Sequence, residues 1–429
     1  MPLNKKLFFK IHSWIGVKLS ILFFIVCFSG TVATLSHELD WIFIKEIRAK
    51  PQKELIDRNT IIENFRKLYP NANITYWMRT DEPYLCDIIY KNENGRQRYV
   101  FANPYTGAIQ GEAALTIQRF FRDLHYFLFI PFYQIGYLIV LSFAFLLLIS
   151  VISALYFYKK WWKKFFTFKK SNNPLVIFRS LHRLVGLWSL PFAILFSITG
   201  IWYFVERTNI ADVRTKVNPD QPLNTVNAKS NISSANASLD YNRAVAMAER
   251  EIPDMTVGSI TPPNRADGNI YLRGTSTVPL VRQRANRVYV NPVNYEVTGV
   301  QKAQNISTLM WVNDIADPLH FGYWGGLLTK IIWFFAGAGI CILVLTGIWI
   351  TLKRKKIKKK KNSVPVMGKW RYLNWLVSTA IVFFMYANII KRYAAEAKVV
   401  IIVSLGCLAF ISLGYYIFVY RLNRAVSKL

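Results

Sequence analysis

The chain has 429 residues, 53% of them hydrophobic and 15% aromatic, and carries a formal net charge of +30 at pH 7. This composition excludes an ordinary soluble globular protein. Lys and Arg crowd beside apolar runs, in segments that contain no Asp or Glu: 5–10, 159–170, 353–361 and 421–428. Such a distribution is typical of membrane topology with some contact to anionic lipid, so we expect a lipid bilayer as partner and no nucleic acid.

Six apolar runs each have about the length that a bilayer-spanning helix requires. They cover residues 15–35, 133–158, 185–205, 331–352, 373–390 and 399–420. Because basic residues mark the cytoplasmic side of a membrane, we predict that both chain termini are cytoplasmic. The two long segments between spans, roughly 37–130 and 206–329, hold almost all the acidic residues and are predicted to lie outside.

Both outer segments have the same predicted order of a helix, three strands and a turn. The first has a helix over 59–69 and strands over 74–79, 84–90 and 98–102, followed by an Asn-Pro turn at 103–107. The second has a helix over 241–251 and strands over 256–260, 270–273 and 287–290, followed by an Asn-Pro turn at 291–299. Such a turn after a strand predicts a hairpin. Residues 218–238, rich in Asn, Ser and Ala, predict a flexible linker.

A histidine–glycine pattern occurs twice, with each His and Gly offset by 170 residues between the copies. The two copies contain His12, Gly16, Ser29 and Gly30, and then His182, Gly186, Thr199 and Gly200. A Leu-His pair precedes the second span of each copy, at His125 and at His320. Four of the five histidines therefore form two matched pairs at the edges of apolar segments.

The topology places these pairs at two depths. Both copies begin in the cytoplasm, so they are parallel and related by an axis along the membrane normal. His12 and His182 are then predicted near the inner face, and His125 and His320 near the outer face. A hydrocarbon core of about 30 Å separates the two levels, so one metal cannot bridge them, but two haems could. Alternatively, the four histidines are boundary residues that lie among lipid headgroups.

Several neighbours of these histidines are candidate haem contacts. Gly16 and Gly186 share a helix face with the histidine four residues earlier and would let a flat macrocycle approach the backbone; helix packing is the alternative. Three arginines could pair with haem propionates or serve as interfacial cations: Arg122, Arg179 and Arg183. His37 has no partner, since Arg207 lies 170 residues on, and it is either a ligand or a boundary residue. No CxxCH motif occurs, which argues against covalently attached haem.

Together these features resemble the PepSY-associated transmembrane family, often described as iron-regulated membrane proteins. The resemblance covers residues 5 to about 355 and rests on the His-x-x-x-Gly spans, the outer domains, the Asn-Pro…Gly turns and the Leu-His pairs. It implies a membrane all-α bundle of about six transmembrane helices in the bacterial inner membrane. It also implies two small α+β PepSY-like periplasmic domains and an internal parallel duplication.

The predicted domain order follows from these elements. It comprises the first span (1–36), a PepSY-like domain (37–123), the second span with its Leu-His segment (124–158), a basic loop (159–178), the third span (179–205), a second PepSY-like domain (206–318), the fourth span with its Leu-His segment (319–352), a basic loop (353–371) and a hairpin of two spans (372–429). The terminal hairpin matches no part of the family pattern.

The best understood branch of this family is similar to a ferric-siderophore reductase that carries electrons through two b-type haems. By resemblance we expect an oxidoreductase that reduces a ferric siderophore or another ferric chelate. No P-loop, dinucleotide fingerprint or HExxH motif occurs, so the electron donor is expected to be quinol or a cytoplasmic flavoprotein. Two other classes stay open, a haem-free module that binds peptide or regulates a peptidase, and an iron-chelate permease. Spans one, two and four hold almost no ionisable group at mid-depth, which counts against a permease.

Overall fold

A computed structural model describes residues 4–223, 239–265, 267–357 and 367–421. Most of the predicted linker, much of the third basic segment and the last basic segment beyond Arg421 lie outside the described residues. The α-helices are α1 (Lys5–Lys18), α2 (Ser20–Thr34), α3 (Ser36–Phe43), α4 (Arg58–Leu68), α5 (Ile117–Phe127), α6 (Tyr133–Phe157), α7 (Pro174–Trp188), α8 (Leu190–Thr208), α9 (Val213–Val217), α10 (Tyr241–Glu251), α11 (Thr308–Phe321), α12 (Gly326–Ile357), α13 (Trp370–Ala387) and α14 (Ala397–Tyr415). The strands are β1 (Asn73–Met78), β2 (Asp87–Glu93), β3 (Arg96–Ala102), β4 (Ile109–Ala113), β5 (Thr256–Thr261), β6 (Ile270–Thr275), β7 (Asn286–Val290) and β8 (Val297–Gln301).

Five helices of the described chain are long and apolar enough to cross a membrane: α6, α8, α12, α13 with the π-helical turn that extends it, and α14. The bent pair α1–α2 would make a sixth span. The chain is thus a multi-pass membrane protein, with spans close to those that hydropathy predicts. Helix α2 packs against α12, and α6 packs against α8. Helices α1 and α7 pack against α6 and α12 respectively, which completes a four-span bundle.

The first and third spans are broken helices rather than the single helices that the sequence predicts. Helices α1 and α2 meet at Leu19 with a bend of 72°. The Ser20 hydroxyl donates to the Val17 carbonyl there, a local bond that competes with the helical ladder. Helices α7 and α8 meet at Ser189, and Pro191 lies in the first turn of α8, where the missing backbone donor of proline costs no helical hydrogen bond.

The two outer segments share one antiparallel sheet of eight strands, in the order β4-β3-β2-β1-β5-β6-β7-β8. Strand β1 pairs with β5, and this pairing places Trp77 opposite Ile260. The predicted helices and the three predicted strands of each segment are confirmed within a few residues. Strands β4 and β8 complete the hairpins that the Asn-Pro turns predict. The first turn closes because Asn103 Oδ1 accepts from the backbone and Gly107 adopts a φ of +72°, which glycine allows.

One core lies beneath the whole sheet, which explains why the halves join. Helices α4 and α10 lie on the same side of the sheet and pack together, so Phe65 and Tyr241 belong to one buried cluster. Arg58 crosses the junction, stacks on the Trp77 ring and donates to the Val257 carbonyl at 2.6 Å. The predicted pair of outer domains is therefore one continuous α+β unit.

Salt bridges attach this unit to one end of the helix bundle. At the start of α12, the buried Lys330 contacts the carboxylates of Glu38 and Glu82. Arg282, in the loop before β7, contacts Asp314 at 2.8 Å and Asp317 at 2.9 Å, both on α11. Helix α11 carries His320, so the outer unit directly supports one of the predicted site helices.

Candidate functional site

The four repeated histidines meet as two pairs inside the helix bundle. The ring centroids of His12 and His182 are 6.3 Å apart, and those of His125 and His320 are also 6.3 Å apart. These are the pairings that the sequence predicts. The planes of the inner pair, His12–His182, lie at 83° to each other, and those of the outer pair, His125–His320, at 33°.

The distance between the two pairs along the bundle is shorter than the thickness of the hydrocarbon core, which is the separation that the sequence suggests. Tyr137 and Val140 of α6 line the cavity of the outer pair, whereas Ser150 of the same helix contacts His12. At 1.5 Å per residue these positions are about 15–20 Å apart along the helix axis. The histidines lie within the bundle rather than at its two borders, because all four belong to helices that pack into it.

Each histidine of the outer pair is oriented through its Nδ1 atom. His125, on α5, donates from Nδ1 to the Val26 carbonyl at 3.0 Å. His320, on α11, lies 2.7 Å from the Thr199 hydroxyl oxygen. That hydroxyl already donates to the Leu195 carbonyl, so it accepts the proton on His320 Nδ1.

The inner pair follows the same rule. His12 Nδ1 donates to the Ser150 carbonyl at 3.0 Å. His182 Nδ1 lies 2.8 Å from the Thr346 hydroxyl oxygen, which itself donates to the Ile342 carbonyl. In every case the Nδ1 atom carries the proton and the Nε2 lone pair is left available, the arrangement found for histidines that bind metal. Within the described residues, no Nε2 atom of the four forms a hydrogen bond.

This spacing fits two imidazoles on opposite sides of one metal ion. An imidazole nitrogen binds a transition metal at about 2 Å, and the ring centroid lies about 1 Å behind it, so centroids are expected about 6 Å apart. Among the described residues, no cluster of three or more His, Cys, Asp or Glu side chains could hold a metal ion. A metal at either pair would thus need its remaining ligands from a bound group, and a haem supplies four from its macrocycle.

A cavity of about 540 Å³ surrounds the outer pair. This volume lies within the range of about 300–1,000 Å³ that is typical of ligand and cofactor pockets. Aromatic and aliphatic side chains of α2, α6, α8 and α12 form its walls. Its polar lining includes four arginines and two carboxylates: Arg207, Arg214, Arg282, Arg284, Glu206 and Asp317. The excess of positive charge suits the carboxylates of a haem or another anion.

The inner pair has an unpaired buried cation nearby. Lys353 is 1% exposed, and within the described residues its Nζ atom has no hydrogen-bond partner. It lies over the ring of Trp349, which stacks on Phe178. Lys353 follows Thr346 by two helical turns, so it lies on the same face of α12, about 10 Å towards the basic end. A buried ammonium group without a counter-ion is costly, and a bound carboxylate would neutralise it.

The glycines of the repeated pattern differ in their surroundings. A Cβ atom added at Gly16 would meet nothing within 4 Å, so open space lies beside it. At Gly186 the added atom would contact Leu343 at 3.6 Å, which is ordinary packing. Gly30 lies against a paired histidine, because a Cβ added there would lie 2.7 Å from His125 Cε1. The sequence identifies Gly30 as part of the repeat but does not indicate that the absence of a side chain there leaves space for His125.

The remaining predicted residues make contacts with other groups. His37 is partly buried near Glu82 and Lys330, and burial lowers its pKa. Arg122 stacks on Tyr126, and Arg183 donates to the Thr167 carbonyl, with its Nε atom buried and unpartnered among the described residues. Arg179 is exposed on α7. The role of the four arginines at the outer cavity was missed, because none of them lies on a helix that carries a paired histidine.

A carboxylate fixes the start of the helix that bears His125. The backbone N–H groups of Ile117 and Gln118 donate to the two Asp40 oxygens at 2.6 and 3.2 Å. Burial raises the pKa of Asp40 to about 7, although these backbone bonds partly offset the effect. Asp40 therefore supplies an N-terminal cap from a neighbouring helix, in addition to the Thr116 hydroxyl, which accepts from Arg119 N.

Sequence comparison gives one clear relationship. The family model described as "PepSY-associated TM region" matches residues 9–354, which include all four paired histidines and the whole outer sheet. The match ends before α13, so the terminal hairpin lies outside it. No curated protein is similar enough in sequence to match the chain.

Proposed function

Because the chain belongs to the PepSY-associated transmembrane family, we propose that it is a haem b electron-transfer protein of the iron-regulated membrane type. In this proposal it resides in the bacterial inner membrane with both termini in the cytoplasm and reduces ferric iron on the periplasmic side. The substrate is a ferric siderophore or another ferric chelate. We further infer that the two halves of the bundle arose by parallel duplication.

One observation carries the proposal: two histidine pairs, each with its ring centroids 6.3 Å apart and, among the described residues, no hydrogen bond at either Nε2 atom. A haem-free binding module gives no reason for four half-buried histidines to share this geometry. A permease gives no reason either, and at the break at Leu19 the Lys18 carbonyl is already bound by Asn374, which donates to it.

The chain's own residues would hold and tune two haems. His12 and His182 would bind one, and His125 and His320 the other, each fixed in tautomer by its Nδ1 partner. A bound haem supplies a one-electron carrier whose potential depends on axial ligands, burial and nearby charge. Lys353 near the inner pair and Arg284 near the outer pair would offset propionate charge. Positive charge near a haem favours its reduced form, because the reduced iron carries one positive charge fewer.

The charge distribution along the chain is the basis for the proposed direction of electron transfer. The basic segments border the end of the bundle nearer His12 and His182, so an electron donor in the cytoplasm or membrane, a flavoprotein or quinol, meets that end. The sheet and the arginine-lined cavity lie at the opposite end. A ferric chelate with negative charge would be attracted there. One-electron reduction releases the iron, since Fe(II) binds hard oxygen donors much less tightly than Fe(III).

The test uses the full-length protein in oriented proteoliposomes. Dithionite-reduced protein should be reoxidised by an impermeant anionic ferric chelate presented on the sheet-bearing face, and not from the face of the basic loops. Reduced haem that ignores ferric chelates on both faces would refute the reductase function, even with the haem sites intact.

A matched pair of variants sharpens this test. Arg284→Gln removes one charge at the cavity, and we expect reoxidation by the anionic chelate to slow about two- to tenfold at low salt. Arg250→Gln removes the same charge from the exposed face of α10 and should leave the rate unchanged. Equal effects of the two variants would mean that overall charge, not the cavity, attracts the chelate.

A further inference from the structure

The terminal hairpin, which lies outside the family match, contacts the first repeat at two points. These are the break between α1 and α2 and the turn that follows α5. We call residues 370–395 the brace: helix α13, its π-helical turn Asn388–Arg392, and the start of the following loop. At the end of the bundle near the basic loops, Asn374 is fully buried and donates to the Lys18 carbonyl at 2.6 Å. That carbonyl lies at the break between α1 and α2, one turn and a half after His12.

The other end of the brace holds the turn that follows the His125 helix. Leu128 and Phe129 have φ angles of 55° and 57°, a left-handed conformation that is costly for side chains of this size. Both side chains are buried, at 1% and 0% exposure. Asn388 donates to the Phe129 carbonyl at 2.9 Å, and Ile389 belongs to the same buried cluster as Phe129. Strained turns of this kind persist only when their surroundings hold them.

A buried carboxylate links the brace to the His125 helix itself. Asp123, two residues before His125, is 2% exposed. It accepts from Arg119 at 3.0 Å on its own helix, and from Arg392 at 3.4 Å and the Tyr393 hydroxyl on the brace. Arg98 of β3 donates to the Tyr393 carbonyl at 2.7 Å, so the sheet fixes the brace in turn.

His320, the partner of His125, is supported differently. Its helix α11 ends at Gly322, with a φ of +73°, and the Trp333 indole N–H donates to the Leu319 carbonyl at 2.7 Å. That support comes from α12, which belongs to the repeat itself. Among the described residues, hydrogen bonds from the brace reach helix α5 and its following turn but not α11.

We propose that the brace is a positioning element for His125, and that Asn388, Ile389 and Tyr393 set the orientation of this ligand in the outer pair. The expected change in redox potential rests on the haem function proposed above. The contact between the brace and the His125 helix does not depend on that function. A histidine held in one orientation gives its haem one ligand field and one potential, whereas a loosened histidine gives a shifted or mixed signal.

The experiment compares two adjacent isoleucines in the full-length protein. Ile389→Ala removes a side chain that is 0% exposed, whereas Ile390→Ala removes one in the same turn that is 57% exposed. Tyr393→Phe removes only the hydroxyl that contacts Asp123. Ile389→Val, which keeps most of the packing, serves as the conservative rescue.

Two readouts separate the brace from the haem function. The first is amide hydrogen exchange in α5, where we expect Ile389→Ala to speed exchange about tenfold or more and Ile390→Ala to leave it unchanged. The second is the redox potential and low-spin EPR signal of each haem. Ile389→Ala and Tyr393→Phe should shift the outer signal alone, and Ile389→Val should restore it.

The outcomes are distinct. Equal exchange rates in Ile389→Ala and Ile390→Ala would overturn the brace, whether or not haem is bound. Faster exchange with an unmoved outer signal would overturn its positioning role and leave only a structural one. A protein that carries no haem would refute the proposed function, and hydrogen exchange would still decide whether the brace holds the His125 helix.

Discussion

Gly30 offers the most selective perturbation of the candidate site. In Gly30→Ala, the new Cβ would lie 2.7 Å from His125 Cε1 and 3.0 Å from its Nδ1. Ordinary van der Waals contact begins at 3.4 Å, so the imidazole must move by about 0.7 Å or the helices must separate. Overpacking of this size in a buried site costs about 1–3 kcal/mol.

The ring cannot make this move and keep its hydrogen bond. Val26 lies one turn before Gly30 on α2, and its carbonyl accepts from His125 Nδ1 at 3.0 Å. Loss of such a support to a metal-binding histidine lowers affinity by about 10–100-fold. We therefore expect Gly30→Ala to lose the outer haem and retain the inner one, about one haem per chain instead of two.

The assay is a pyridine haemochrome measurement with protein quantified by amino-acid analysis. Gly406→Ala is the control, since its Cβ would meet nothing within 4 Å on α14. At either position alanine stabilises the helix by about 0.8–1.0 kcal/mol relative to glycine, so a loss of helix stability cannot explain a loss of haem. Two haems per chain in Gly30→Ala, with an unshifted spectrum, would refute the reasoning about His125.

Three further outcomes follow from the site and the sheet. Alanine at either inner histidine should remove one haem, alanine at either outer histidine should remove the other, and optical spectra of the four variants should fall into two groups. Thr199→Val, which keeps the side chain's shape, should shift the redox potential of the outer haem only, because His320 loses its Nδ1 acceptor. Hydrogen bonds from Thr60 and Asn242 lower the pKa of Asp57 to about 2, so their stabilisation is complete above the ordinary pKa near 4 and is lost as pH falls towards 2. Thermal unfolding between pH 2 and 6 should therefore be less pH-dependent in Asp57→Asn, and an unchanged pH profile would contradict this.

The histidine pairs could be predicted because they recur. A shared offset of 170 residues and a common topology place His12 beside His182 without knowledge of the packing. The outer helices and strands were also predictable, since α10 and β5 follow plain periodicity and end at clear turns. The polar partners of the histidines were not predictable. Ser150 and Thr346 are single hydroxyl residues in apolar runs, and no sequence spacing distinguishes them.

Long-range pairing explains what the sequence could not predict. The join of β1 to β5 brings together Trp77 and Ile260, and nothing local distinguishes an edge strand that pairs from one that faces solvent. The break at Leu19 lies inside a predicted span and without a proline beside it. Asn374 and Asn388 look like ordinary polar residues of a span until the carbonyls that they bind are known.

The haem content of the purified full-length protein, measured with its oxidised EPR spectrum, tests the central claim most directly. Both histidine pairs have the geometry for two axial ligands, so we expect two non-covalent b-type haems per chain, both low-spin and six-coordinate. Protein that contains no haem after expression with ample haem supply, or only high-spin five-coordinate haem, would contradict the account.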